Sequence, residues 1–163
     1  RRQKEVGLKE QKGKPIILDG YNVLITIESA MSGGVIFKGR DGCHRDLASI
    51  HGTYRKVEET IPAVELIGNF LTEMKIKDAK WLLDSPVSNS GRLKSLIAEL
   101  AEQKKWIWDI RLLTSPDREL INSDLTVASS DGVVLDECSR WINLARDIIE
   151  EKINDAEIVD LED

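Results

Sequence analysis

Short apolar runs alternate along the chain with longer segments in which apolar residues recur every three or four positions. The run at 16–18 contains no polar residue, which predicts a strand that is buried on both faces. Other short runs, bounded by turn-forming residues, also have the length of strands. The predicted strands cover 15–19, 35–38, 79–84, 106–113, 125–129 and 157–161.

The segments between these strands have the periodicity of amphipathic helices. The spacing is clearest within 61–75, where Thr60 and Pro62 are typical of a helix start. The predicted helices cover 22–30, 47–56, 61–75, 92–103, 117–122, 133–138 and 141–152. Alternating strands and helices are typical of parallel sheets with right-handed crossovers. We therefore predict a three-layer α/β/α fold with a mainly parallel sheet of four to five strands.

Residues 1–14 are highly charged and carry almost no apolar pattern. We interpret them as a linker or as the tail of a missing N-terminal segment, followed by a single domain over 15–163. The chain starts at Arg1 rather than at a methionine, so we expect it to be a piece of a longer protein.

The composition narrows the class of protein. With 163 residues, 41% of them apolar, the chain suits one domain with a real core. No apolar run approaches the roughly 20 residues of a membrane helix and no leader is evident, so we expect a cytoplasmic protein without membrane contact. The net charge of −6 argues against a nucleic-acid coat protein, but it allows an enzyme with acids around a metal. Cys43 and Cys138 lack metal-ligand spacing.

Acidic residues follow several of the predicted strands. Asp19, Asp84 and Asp131 stand at or directly after the ends of three strands, and Asp117 follows a fourth after a short turn. The carboxyl ends of parallel strands meet at the edge of a sheet where ligands bind. We therefore expect these carboxylates to converge in one cleft. The alternative is that they are caps and turn acids without a common site.

Clustered carboxylates suit a hard divalent cation, because like charges in proximity repel and raise one another's pKa. Mg²⁺ or Mn²⁺ relieves that repulsion, with one or two direct carboxylates and several waters. Such a site activates water and stabilises the departing oxygen in phosphodiester cleavage. The sequence thus favours metal-dependent phosphoryl chemistry.

Candidate phosphate contacts surround the predicted cleft. Ser90 and Arg92 lie at the start of a predicted helix directly after Asp84, where backbone N–H groups and a guanidinium suit a phosphate. Arg45 belongs to a group of basic residues that would form a local basic rim; the others are Arg40, His44, Arg55 and Lys56. An ordinary helix cap and a solvated loop are the alternatives.

The acids at the strand ends belong to three short motifs, Ile17-Leu18-Asp19-Gly20-Tyr21-Asn22, Leu83-Asp84-Ser85-Pro86 and Ala128-Ser129-Ser130-Asp131-Gly132. These motifs resemble those of the PIN-like nuclease superfamily. Stretches around Arg45, around His51 and over 141–149 resemble more closely a prokaryotic PIN-like group known as a domain of unknown function. The resemblance covers roughly 15–150.

This resemblance implies a Mg²⁺- or Mn²⁺-dependent endoribonuclease with RNA as its partner. By motif position, the metal ligands would be Asp19, Asp84 and Asp131. Asn22 would orient Asp19 or a metal-bound water, and Ser130 would position the last of the three acids.

The chain departs from the superfamily's pattern in two places. PIN enzymes usually carry an acid on a helix in the middle of the chain and another one strand later. Asp46, Glu65 and Asp84 compete for the first role, and Asp117 and Asp124 for the second.

Two functions of different classes follow from the sequence. One is a metal-dependent ribonuclease, in which Asp46 and Asp117 support the three ligands while Arg45 and Arg92 contact phosphates. The other is a catalytically silent PIN-like module that binds RNA, a nucleotide or a protein. A small phosphatase is a third, weaker option, and the oligomeric state stays open, a homodimer included.

Overall fold

A computed structural model describes residues 1–46, 60–76 and 78–161 of the chain. Its strands are β1 Ile16–Asp19, β2 Val35–Lys38, β3 His44–Asp46, β4 Ala79–Asp84, β5 Trp108–Leu113, β6 Thr126–Ala128, β7 Trp141–Ile142 and β8 Glu157–Asp160. Its α-helices are α1 Gly20–Met31, α2 Thr60–Glu73, α3 Ser90–Lys104, α4 Asp117–Asn122, α5 Gly132–Glu137 and α6 Leu144–Lys152. No helix within these residues is both long and apolar enough to span a membrane.

The main sheet has five strands in the order β5-β4-β1-β6-β7, and every pairing in it is parallel. The chain builds outwards from β1 to β4 and β5, then returns to the other side of β1 for β6 and β7. This order places a topological switch point beside β1, where ligands bind in open α/β sheets. The predicted α/β fold with a mainly parallel sheet is confirmed.

The two faces of the sheet are covered by layers of different thickness. One face packs against α1, α2, α3 and α6 in the larger core. The other carries Ile17, Leu82 and Val127, which pack against Leu120 of α4 and Leu135 of α5. Since side chains alternate along a strand, Asp19 and Asp84 share the orientation of Ile17 and Leu82. Both acids therefore project towards the thin layer formed by the two short helices.

A second sheet of three strands has the order β3-β2-β8. Strands β2 and β3 form an antiparallel hairpin, while β8 runs parallel to β2. The turn between β2 and β3 closes through a hydrogen bond from Gly39 N to Cys43 O at 2.9 Å, with Gly42 at φ +79°. The residues Gly39-Arg40-Asp41-Gly42 are typical of a turn and do form one, but β3 itself was not predicted.

The predicted helix over 141–152 is wrong in its first residues. Trp141 and Ile142 form β7 and pair with Val127 and Ala128 of β6, and the helix begins only at Leu144. Both strand residues are fully buried, so long-range pairing outweighs the local helical spacing. The other predicted elements that fall within the described residues begin and end within two residues of their predicted bounds. The predicted helix over 47–56 lies outside the described residues.

Residues 1–14, predicted as a linker or tail, pack against the domain as two 3-10 turns, Arg2–Lys4 and Leu8–Gln11. Val6 N donates to Trp141 O at 2.8 Å, so this segment extends the sheet beyond β7. Gln11 is buried and accepts a hydrogen bond from Thr126 Oγ1 at 2.8 Å. The short strand β7 leaves backbone groups unpaired at its outer edge, and this segment uses them.

Candidate functional site

The carboxylates predicted to converge all lie at the carboxyl edge of the main sheet. Asp19 ends β1, Asp84 ends β4, Asp117 starts α4 and Asp131 precedes α5. Burial raises the pKa of Asp19 to about 7; a hydrogen bond from Ser129 opposes the shift, and the charges of the other three acids add to it. The four acids therefore form one electrostatic unit, called here the acidic cleft.

The position of Asp19 depends on the glycine that follows it. A Cβ on Gly20 would lie 2.7 Å from the Leu82 carbonyl oxygen and 2.6 Å from Leu83 Cδ2. Any side chain there would push α1 away from β4, since real Cβ atoms do not approach backbone so closely. Gly20 thus lets the helix start directly at the strand end and holds Asp19 in a buried position, with 7% of the residue exposed.

Ser129 links two acids of the cleft. Its Oγ donates to Asp19 Oδ2 at 2.8 Å and accepts a hydrogen bond from Asp131 N at 3.0 Å. The sequence assigned this positioning role to Ser130, the residue next to Asp131. The signal for Ser129 was present as the first of two serines after β6, but sequence alone does not show which hydroxyl faces the cleft.

Ser130 instead contacts Asn22. Asn22 Oδ1 accepts hydrogen bonds from Ser130 N at 2.8 Å and from Ser130 Oγ at 3.1 Å. This amide joins the first turn of α1 to the loop after β6, across the switch point. Asn22 therefore aligns two elements that carry acids, and its proposed contact with a metal-bound water stays a prediction.

Asp131 has a structural role in addition to its place in the cleft. Its Oδ1 caps α5 by accepting from Val133 N at 3.0 Å and from Val134 N at 3.1 Å. The strand-end cap that the sequence left open as an alternative is thus present at this residue. Its second carboxylate oxygen makes no hydrogen bond within the described residues.

Asp84 and Asp117 complete the acidic cleft. Burial and the charge of Asp117 raise the pKa of Asp84, and burial and the charge of Asp131 raise the pKa of Asp117. Asp124, the competitor for the later acidic position, is exposed and is not among the charges that act on Asp19. Of these two candidates, the structure brings Asp117 to the cleft.

Arg45, predicted to contact phosphate, binds the backbone oxygen of Ser130 at the cleft. Its Nε and Nη2 donate to Ser130 O at 2.9 and 2.6 Å, and its Nη1 and Nη2 donate to Asp41 at 3.1 and 2.7 Å. The guanidinium therefore clamps the loop between β6 and α5 from the β2–β3 hairpin. The sequence had given Asp41 no role beyond the turn.

The remaining predicted residues fall into two groups. Ser90 and Arg92 begin α3 at the same edge as Asp84; Ser90 Oγ donates to Ser85 O at 3.0 Å and Arg92 is exposed. Neither Asp46 nor Glu65 is among the charges that act on Asp19. Asp46 is fully buried beside Thr26 Oγ1, at 3.3 Å, while Glu65 lines a cavity between α1, α2 and α6. The basic residues Arg55 and Lys56 lie outside the described residues.

The donor chemistry of the cleft fits a hard divalent cation. Carboxylate and hydroxyl oxygens are the ligands that Mg²⁺ and Mn²⁺ accept, and Mg²⁺ usually takes one or two carboxylates directly and keeps several waters. Within residues 1–46, 60–76 and 78–161, no three His, Cys, Asp or Glu side chains form a ready-made metal-binding group.

Comparisons with known proteins identify a family but no activity. The chain is 34% identical over 146 residues to Uncharacterized protein MJ0935 of Methanocaldococcus jannaschii, a match that covers 90% of this chain and 68% of that protein. No solved structure matches the chain. The family model described as domain of unknown function DUF5616 matches residues 8–147. With a match of this extent, the chain belongs to the DUF5616 family.

Proposed function

We propose that this protein is a divalent-metal-dependent nuclease of the PIN-like type that hydrolyses phosphodiester bonds of RNA. The observation that carries the proposal is the buried carboxylate of Asp19, whose pKa three converging acids help to raise to about 7. Strongly shifted acids in a cleft mark functional sites more often than structural ones. A cytoplasmic location is part of the same proposal.

Three acids would supply oxygen ligands, namely Asp19, Asp84 and the free oxygen of Asp131. A bound Mg²⁺ or Mn²⁺ would activate water and stabilise the charge on the departing oxygen. Ser129 holds one oxygen of Asp19 by its hydrogen bond and thereby directs the carboxylate into the cleft. Asp117 adds negative charge at the same place and so favours a cation there.

The phosphate of the substrate would approach from the side of α3. Its first turn presents Arg92 at the edge that carries Asp84, and a guanidinium suits phosphate geometry. Ser90 is occupied with Ser85 O, so its contribution is to fix the loop after β4. Asn22 and Arg45 hold the opposite side of the cleft through Ser130.

The alternative function is a catalytically silent module that binds RNA, a nucleotide or a protein partner. Two observations favour it: Asp131 uses Oδ1 to cap α5, and the described residues contain no ready-made metal-binding group. In that case the acids would serve the structure or hold a bystander ion.

The test is cleavage of a fluorescent single-stranded RNA with and without Mn²⁺, comparing the parent with Asp19→Asn. The substitution keeps an acceptor for Ser129 but removes the charge. We expect a loss of at least about 100-fold, because even the outer partners of metal ligands contribute 10–100-fold. Asp124→Asn, at an exposed acid outside the cleft, is the matched control and should cleave like the parent.

Calorimetry with Mn²⁺ separates the two functions. The nuclease should bind Mn²⁺ in the cleft, and Asp19→Asn should weaken that binding. If the parent binds RNA but does not bind Mn²⁺ and does not cleave RNA, the protein is the catalytically silent module. Turnover of a simple phosphomonoester without cleavage of RNA would instead indicate a phosphatase.

A further inference from the structure

A cavity of about 470 Å³ opens beside the acidic cleft, between the carboxyl end of β5 and α4. Its walls include Leu113, Thr114, Ser115, Arg118, Asn122 and Ser123. The volume lies within the range of about 300–1,000 Å³ that is usual for small-molecule sites. No residue of this cavity was predicted as a substrate contact from the sequence.

The sheet register places the cavity directly next to two acids of the cleft. Leu113 pairs with Asp84 across β4 and β5, and Ser85 N donates to Leu113 O at 2.8 Å. Asp117 lies in the chain between Ser115 and Arg118, which both line the cavity. A group bound in the cavity would therefore adjoin the place where we expect a phosphodiester to be cut.

Arg118 gives this cavity a cationic group that is not engaged elsewhere. It makes no hydrogen bond or ion pair with any residue in the described part of the chain. Its neighbour Glu119 also lines the cavity, but Lys80 Nζ lies 3.3 Å from Glu119 Oε1 and compensates that charge. An uncompensated guanidinium favours an anion, and phosphate matches its planar array of donors.

Asn122 lies four residues after Arg118 on α4, so the two side chains share one face of the helix. An amide offers both a donor and an acceptor, the combination that hydrogen-bonds to the edge of a nucleobase. Hydroxyls of Thr114 and Ser115 stand at the rim and suit contacts with ribose. Such contacts need an unpaired base, as found in single-stranded RNA.

We propose that this cavity binds the nucleotide next to the scissile phosphate of a single-stranded RNA. Arg118 contacts the phosphate of that nucleotide, and Asn122 contacts the edge of its base. The inference rests on the proposed nuclease function and extends it from the chemistry to the selection of substrate.

The test measures kcat and KM on short single-stranded RNAs that differ at one position beside the cut. Arg118→Ala should raise KM about tenfold, as expected for the loss of one charged hydrogen bond, and leave kcat within about twofold. Arg118→Lys should recover part of the loss, since it restores the charge. Asn122→Ala should reduce the preference among bases at that position.

Arg111→Ala is the matched control. Arg111 is an exposed arginine of β5, but it pairs with Asp109 at 3.0 Å and does not line the cavity. Arg111→Ala changes the net charge by the same amount as Arg118→Ala. Because Arg111 does not line the cavity, its substitution should leave KM within about twofold of the parent. Equal KM values for Arg118→Ala and Arg111→Ala would overturn the assignment.

A binding assay keeps this inference separate from the catalytic proposal. Fluorescence anisotropy with the same single-stranded RNA in metal-free buffer with EDTA, where a metal-dependent nuclease cannot cleave, reports binding alone. If the parent does not cleave RNA but Arg118→Ala weakens this binding more than Arg111→Ala does, the nuclease proposal fails and the nucleotide site stands. If the parent cleaves RNA but the two variants bind alike, only the nucleotide site is wrong.

Discussion

Asp19 and Asp41 are acids on either side of one loop; both are at least partly buried, but they are electrostatically opposite. The loop over 129–131 contacts Asp19 through Ser129, and it contacts Asp41 through Arg45. Asp19 is buried, with 7% of the residue exposed, whereas Asp41 is partly buried as a residue and exposes 8% of its side chain. Burial alone would therefore raise the pKa of both carboxyl groups.

The difference between the two acids lies in their partners. Burial acts to raise the pKa of Asp41, but hydrogen bonds from Arg45, from Cys43 N and from Arg1 outweigh it and hold the pKa well below its usual range. Asp19 has a single hydroxyl partner within the described residues, and three nearby carboxylates add to the effect of burial. One acid is thus stabilised as an anion, while the other is held where its charge is unfavourable.

This contrast separates an acid that builds the molecule from one that serves its site. Asp41 anchors the hairpin, and through Arg45 it fixes the loop that carries Ser129 and Ser130. Burial and the neighbouring carboxylates disfavour the charge of Asp19, and sequences break such rules mostly at functional or strained sites. Stability measurements on both acids therefore test the assignment without any substrate.

The largest expected effect is at Asp41. Asp41→Asn should lower the free energy of unfolding by about 3 kcal/mol, because it leaves the half-buried Arg45 without its counter-charge. Urea denaturation at neutral pH measures this change. Asp109→Asn is the control, since Asp109 and Arg111 form an exposed pair at 3.0 Å and such pairs contribute at most about 1 kcal/mol. An equal decrease in the free energy of unfolding of Asp41→Asn and Asp109→Asn would contradict the role given to Asp41.

The next effect has the opposite sign. Asp19→Asn should raise the free energy of unfolding by about 2 kcal/mol in metal-free buffer at pH 7.5, because it removes a buried charge that faces other carboxylates. Addition of Mn²⁺ should stabilise the parent and have little effect on this variant. A variant less stable than the parent in metal-free buffer would show that Asp19 is a structural acid like Asp41.

The smallest effect is a dependence on pH. Asp19 binds its proton more tightly in the folded state, so the stability it contributes is highest at low pH and falls as the pH rises from about 4 to about 7. In metal-free buffer the advantage of Asp19→Asn over the parent should therefore grow by about 1 kcal/mol per pH unit between pH 5 and 7, then level off. Asp41 behaves in the reverse sense, since its contribution is lost only when the pH falls below the ordinary range of a carboxyl group.

The acids of the cleft could be predicted because they depend on local pattern and one topological rule. Each of Asp19, Asp84 and Asp131 follows a short apolar run, and parallel strands bring such ends to one edge. Four of the five strands of the main sheet and most element bounds follow from the same periodicity, whereas β7 does not. A helix or strand that buries one face has apolar residues at regular spacing along its own sequence, so that face can be predicted locally.

Only the tertiary structure decided the contacts between distant segments. Trp141 and Ile142 carry a helical spacing but form a strand, because β6 offers them backbone partners. Whether Ser129 or Ser130 contacts Asp131 depends on how the chain turns after β6, and the local pattern does not distinguish the two serines. The clamp from Asp41 through Arg45 to Ser130 spans about half the chain, and the nucleotide cavity arises where β5 meets α4. Local sequence determines periodicity, but pairings over such separations depend on which surfaces remain available after the whole chain has packed.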